Sequence, residues 1–101
     1  MKIVSLNREL TLDAHNLAFN VDEELSRELM DLVEYGYLTL AGHGKVLKVS
    51  IPADKEGGFS KQSVETLEGK LQEAAEIIQR SRDKHQRMLE RMANEMGLSL
   101  D

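Results

Sequence analysis

The chain has 101 residues, a formal net charge of −5 and no cysteine. This length suits one small domain and leaves little room for a deep catalytic cleft in addition to a scaffold. The absence of cysteine excludes disulfides, thiolate metal sites and cysteine nucleophiles, and because it fits a reducing compartment we expect a cytoplasmic protein. No apolar run is long enough to span a membrane, so we expect no membrane partner.

The N-terminal part is predicted to form strands. Residues 2–6 alternate between polar and apolar side chains, which indicates a short strand followed by a turn. Between residues 10 and 20 the pattern fits two structures, because a period of two suits a second and third strand while part of the same run also suits a helical turn. We leave both open and favour strands.

A first helix is predicted over residues 21–35. Asn20 can cap it, and Glu23 stands three residues later, where it can bond back to the cap. Gly36 follows the last apolar residue and supplies the left-handed conformation that ends many helices. This helix carries six carboxylates and one arginine, and we interpret the carboxylates as a cap and a solvated face.

The next two runs predict a hairpin over residues 37–51. Two β-type segments flank the tripeptide Gly42-His43-Gly44, and we expect positive φ at both glycines. Alternation places Leu47, Val49 and Ile51 on one buried face of the sheet. Pro52 ends the second strand because it has no N–H to donate.

Residues 60–96 are typical of one long amphipathic helix, capped by Ser60. At 1.5 Å per residue it is about 55 Å long, more than the diameter of a globule made from the other residues, so part of it needs a partner. Its apolar and small residues recur at alternating spacings of three and four, as in coiled coils. We predict an oligomer interface made by Val64, Leu67, Leu71, Ala74, Ile78, Ser81, His85, Met88 and Met92.

The second half of the long helix is basic. Arg80, Lys84, Arg87 and Arg91 are spaced so that they share one side of a helix, and they form a strip about 16 Å long. Such a strip suits either a phosphate backbone or an acidic protein surface. We favour the acidic helix 21–35 of a second subunit, because one chain then supplies both signs and its net negative charge disfavours a polyanion.

Motifs for catalysis and for metal binding are missing from the sequence. The histidines lie far apart, and Asp13 with His15 provides too few ligands for zinc. The run Gly42-His43-Gly44-Lys45 lacks both the glycine spacing and the Ser or Thr of a phosphate-binding loop. We therefore expect no metal, no cofactor and no enzymatic activity.

Two alternatives involve nucleic acid. Helix 21–35 followed by a hairpin has the order of a recognition helix and wing in winged-helix DNA-binding proteins, but its carboxylates would face phosphates. From Val49 onward, the order of a proline-ended strand, a loop and a long helix with Arg80 and Arg82 resembles the second half of the ribosome recycling factor family. That family's first and last helices have no counterpart here, so we do not assign it and keep only RNA contact through residues 80–91 as an alternative.

We predict an α+β fold with a small antiparallel sheet, helix 21–35 and a protruding C-terminal helix. Residues 1–58 form a small α+β domain, and residues 60–96 form an element for oligomerisation. The predicted function is that of a non-enzymatic interaction or adaptor protein that forms a homo-oligomer through the long helix, or a small regulator or inhibitor of a larger protein. The alternative is a nucleic-acid or ribosome-binding protein that uses the basic half of the helix.

Overall fold

The computed structural model describes residues 1–56 and 58–100. Four strands form one antiparallel sheet in the order β1-β2-β4-β3, and a short and a long helix complete an α+β fold. The predicted fold class is confirmed. The elements are β1 (Ile3–Leu6), β2 (Asn16–Val21), α1 (Arg27–Leu32), β3 (Thr39–His43), β4 (Val46–Ser50) and α2 (Lys61–Met96).

The core lies between the sheet and the first half of α2. Leu47 and Val49 of β4, together with Leu67 and Leu71 of α2, have no exposed surface. Burial of each such side chain contributes about 1.5–3 kcal/mol, so this contact between layers is a large part of the stability of the fold. The same apolar cluster contains side chains from α1 and β2, and thus from both of the units predicted as 1–58 and 60–96.

The hairpin forms where the sequence predicts it, but its two glycines differ. Gly44 has a φ of 60 and begins a two-residue turn, the position at which such turns take glycine. Gly42 lies within β3 opposite Leu47 and does not have positive φ, so that prediction was wrong. Glycine is needed there for another reason, because a Cβ at Gly42 would stand 2.8 Å from the Cβ of Leu25.

The predicted helix 21–35 was too long at both ends. α1 spans only Arg27–Leu32, and Ser26 caps it by accepting a backbone N–H at 3.1 Å. Val33 follows in an extended conformation and is buried in the core, which ends the helix. Gly36, with a φ of 54, lies in a turn that leads to β3.

Backbone pairing explains why the helix does not begin at residue 21. Val21 is the last residue of β2 and pairs with Ile3 of β1. The N–H of Leu25 donates to the carbonyl of Gly44 at 2.8 Å, which holds the segment before Ser26 against the tip of the hairpin. These non-local hydrogen bonds satisfy backbone groups that a helix would use, so they override the local capping signal.

The segment that the sequence left open, residues 10–20, is part loop and part strand. The alternation before Val21 is confirmed as β2, with Phe19 buried in the core. The strand predicted ahead of it was wrong, because Leu10 and Leu12 are exposed residues of a loop. This loop is tied to the edge of β2 by the hydroxyl of Thr11, which accepts the N–H of Ala18 at 3.0 Å.

The long helix is capped at both ends. The side chain of Ser60 accepts the N–H of Ser63 at 3.1 Å, which confirms the predicted start. Gly97, with a φ of 70, closes the other end. The molecule measures 60 × 24 × 19 Å, and its radius of gyration of 18.0 Å exceeds the roughly 13 Å of a compact chain of this length. From Ile78, the last buried apolar residue on the core side, to Met96 the helix extends about 27 Å.

The close approach at Gly42 leads to a test of the fold. Gly42→Ala should destabilise the protein by about 1–3 kcal/mol, because the added methyl group collides with Leu25 and with Met30, 3.0 Å away. Gly69→Ala is the matched control, since a Cβ there meets nothing within 4 Å. It removes a glycine from the interior of α2 and should stabilise the protein by about 0.5–1 kcal/mol. Midpoints of urea unfolding measure both changes, and equal midpoints for the two variants would contradict this packing.

Candidate interaction surface

The second half of α2 projects beyond the sheet. We call residues 79–96 the distal half of α2. Every residue from Gln79 to Met92 is exposed, so this stretch of helix meets solvent on all its faces. Among the described residues, one ion pair joins it to another element, between Arg82 and Glu28 of α1 at 3.5 Å. Both side chains of that pair are more than half exposed, and such pairs contribute about 0–1 kcal/mol.

A helix in this position lacks the packing that normally stabilises helices. Most helical stability in proteins comes from burial of an apolar face rather than from intrinsic helix propensity. The distal half gains support from its continuity with the buried first half and from the cap at Gly97. It still leaves its own apolar face uncovered.

That uncovered face continues the face of α2 that packs on the sheet. After Ile78 the spacing of three and four runs on through Ser81, His85, Met88 and Met92. The two methionines are about half exposed, at 53% and 50%. Four exposed apolar side chains make up what we call the distal stripe, namely Met88, Leu89, Met92 and Met96.

The sheet divides the predicted oligomer interface into two parts. Four of its residues belong to the core of the same chain, and a partner could reach them only if that core opened; they are Leu67, Leu71, Ala74 and Ile78. Val64 is half-buried. The remaining four, Ser81, His85, Met88 and Met92, are exposed and are available to a partner. The interface prediction therefore stays a prediction for this second part.

The predicted basic strip borders the distal stripe along one side. We call the residues of the predicted oligomer interface the seam residues. Each residue of the basic strip comes immediately before a seam residue, and one step along the chain turns about 100° around the helix; the strip residues are Arg80, Lys84, Arg87 and Arg91. Arg80 pairs with Glu76 at 3.9 Å and Arg91 with Glu95 at 3.5 Å, both within the helix. Among the described residues, Lys84 and Arg87 form no ion pair, so these two charges are available to a partner.

Two apolar residues at the junction of α1 and α2 are exposed, although their positions in the sequence do not predict it. Leu32 is the last residue of α1 and is 46% exposed. Ile77 comes just before the seam residue Ile78 and is 45% exposed. Leu32 is exposed because α1 ends at this residue, and the helix ends there because Val33 is extended and buried in the core.

The residues weighed as metal ligands make a turn. The carboxylate of Asp13 accepts the backbone N–H of His15 at 2.8 Å and the side-chain amide of Asn16 at 3.1 Å. These hydrogen bonds lower the pKa of Asp13 below its usual value, and the bond from His15 has a larger effect than the bond from Asn16. Across residues 1–56 and 58–100, no group of three or more His, Asp or Glu side chains is placed to hold a metal ion.

No family model, no curated protein and no solved structure matches this chain. The resemblance to ribosome recycling factor thus has no support from them. In the part of the chain that the structure describes, no helix combines the length and the hydropathy needed to cross a membrane.

The uncovered helix leads to a prediction for amide hydrogen exchange. In highly diluted protein, amides of residues 83–92 should exchange rapidly, because local opening of this segment exposes no buried side chain. Amides of Leu67 to Ile78 should stay protected, because their opening requires disruption of the core. Mass spectrometry of peptides from the two halves gives the comparison within one molecule. Equal protection along all of α2 at high dilution would contradict it.

Proposed function

We propose that this chain is a non-enzymatic interaction protein that self-associates through the distal half of α2. The observation that carries the proposal is a capped helical segment, exposed on every face from Gln79 to Met92, that bears an apolar stripe with a basic border. Contiguous exposed apolar patches that are rimmed by polar residues mark interaction sites. Methionine suits such a site because its flexible side chain adapts to the surface it meets.

Charge favours a second copy as the partner. The chain has a net charge of −5 although the distal half is basic, so its other surfaces are strongly acidic. Complementary potentials guide association and suppress wrong pairings. A protein that joins copies of itself in this way fits the role of an adaptor or of a small regulator of a larger protein.

Nucleic acid is the second candidate, and it rests on the two unpaired cations. Lys84 and Arg87 are exposed and form no ion pair among the described residues, so they are free to neutralise phosphates. Affinity for a polyanion falls steeply with salt, by about 0.9 log units per log unit of salt for each phosphate neutralised. Contact through the distal stripe should change little over the same range. We rank this candidate second because of the acidic net charge.

The double substitution Met88→Glu with Met92→Glu tests the proposed function. Burial of an unpaired carboxylate at an interface costs several kcal/mol, so the dissociation constant of the oligomer should rise by more than about a hundredfold. The fold should persist, because neither residue is in the core. Sedimentation equilibrium measures the association, and urea unfolding at high dilution measures the fold.

The matched control adds the same charge on the far side of the helix. Gln79 and Gln86 are seven residues apart and exposed, and they lie about 120–180° around the helix from Met88 and Met92. Gln79→Glu with Gln86→Glu should leave association within a few-fold of the wild type. An oligomer that survives the methionine substitutions would place the interface elsewhere, and the exposed Val4 and Leu6 of β1 would then be the next surface to test.

A further inference from the structure

We infer that the distal half of α2 docks in the groove between α1 and α2 of a second copy, in a reciprocal antiparallel dimer. This inference rests on the proposed function and adds the surface that receives the helix. We call that surface the α1–α2 groove. Its floor is Leu32 and Ile77, and its rim is Glu28, Asp31, Glu34 and Glu73.

The shape and polarity of the groove suit an amphipathic helix. Two adjacent depressions share Leu32 and Ile77, so the apolar floor is continuous between them. Both floor residues are nearly half exposed in one chain, at 46% and 45%, although each lies beside the core. An apolar stripe laid along this floor covers both uncovered surfaces at once, which is how amphipathic helices bind in grooves.

The charges of the groove are opposite to those of the incoming helix. Four carboxylates form the rim, whereas four cations border the distal stripe. Lys70 also lines one depression, but its ammonium group lies over the ring of Tyr35, 5.5 Å from the centroid. Exposed ion pairs add little affinity, so the charges select the orientation while the apolar contact supplies most of the affinity.

An antiparallel register matches both sets of residues. Suppose that Met88 of one chain lies opposite Ile77 of the other. Four residues further along the first helix, and four residues back along the second, Met92 and the neighbouring Arg91 then lie beside Glu73. The two-fold axis then passes near residues 82 and 83. The polar seam residues Ser81 and His85 lie next to that axis, where the two helices cross and where the stripe is least apolar.

The area of contact favours the reciprocal arrangement over a single docking event. Half of the lateral surface of a helix about 27 Å long and about 11 Å wide is roughly 470 Å². A stable interface takes about 800 Å² from each partner, so one docked helix falls short. In the reciprocal dimer with Met88 opposite Ile77, residues 69–96 of each chain lie in the contact. Half of the lateral surface over that length of about 40 Å is roughly 700 Å² per chain, within the range of about 600–1,000 Å² per partner for stable interfaces, and the assembly closes with two-fold symmetry.

Engineered disulfides test this register, since the chain has no cysteine of its own. The substitutions are Ile77→Cys and Met88→Cys, both at exposed positions. Within one chain these positions are about 16 Å apart along α2, far beyond the roughly 7 Å limit between the Cα atoms of a disulfide. The variant with both substitutions should therefore shift on oxidation from 11.4 kDa to a covalent dimer. Each single variant should stay a monomer on a denaturing gel.

The outcomes separate this inference from the proposed function. A covalent dimer from Met88→Cys alone would show that the two Met88 positions meet each other, in a parallel pair or in an antiparallel pair with its axis at Met88. Either result would overturn the groove, while self-association through the distal half would stand. A non-covalent dimer by light scattering that forms no covalent dimer with both cysteines would also overturn the groove alone. A monomer by light scattering, with no disulfide in any variant, would overturn both.

Discussion

The packing of one face of α2 on the sheet is the contact on which the rest of the structure depends. Leu67 and Leu71 meet a sheet face that includes Leu47 and Val49, and all four are fully buried. This layer fixes where the helix starts and in which direction it leaves the domain. The sheet and α1 together cover the helix as far as Ile78, and the same apolar face then continues into solvent. The candidate interaction surface is thus the uncovered remainder of the face that builds the core.

The short length of α1 creates the α1–α2 groove. The sheet and the tip of the hairpin use the backbone as far as Leu25, and the core uses Val33, so only six residues between them are helical. This leaves Leu32 at a free end of α1, beside Ile77 of the long helix. Three of the six carboxylates of residues 21–35 lie around that junction together with Glu73 of α2, where they can meet the basic side of another copy; they are Glu28, Asp31 and Glu34.

Much of the fold follows from periodicity, and the failures have a common cause. The sequence predicts the features that depend on local patterns, namely the hairpin, the N-terminal cap of α2 at Ser60 and the extent of α2. The helix predicted at residues 21–35 fails because hydrogen bonds from β1 and from the turn at Gly44 come from distant parts of the chain. For the same reason the sequence shows that one face of α2 is apolar, but it does not show that burial of this face ends at Ile78. The end of burial depends on how far the rest of the fold extends along the helix, and no local pattern of the helix contains that information.

Light scattering of the wild-type protein across a wide dilution series measures whether a second copy covers the exposed half of α2. We predict a mass near 23 kDa at micromolar concentration and above, twice the chain mass of 11.4 kDa, with a fall toward the monomer on dilution. A mass of 11.4 kDa at every concentration would contradict it.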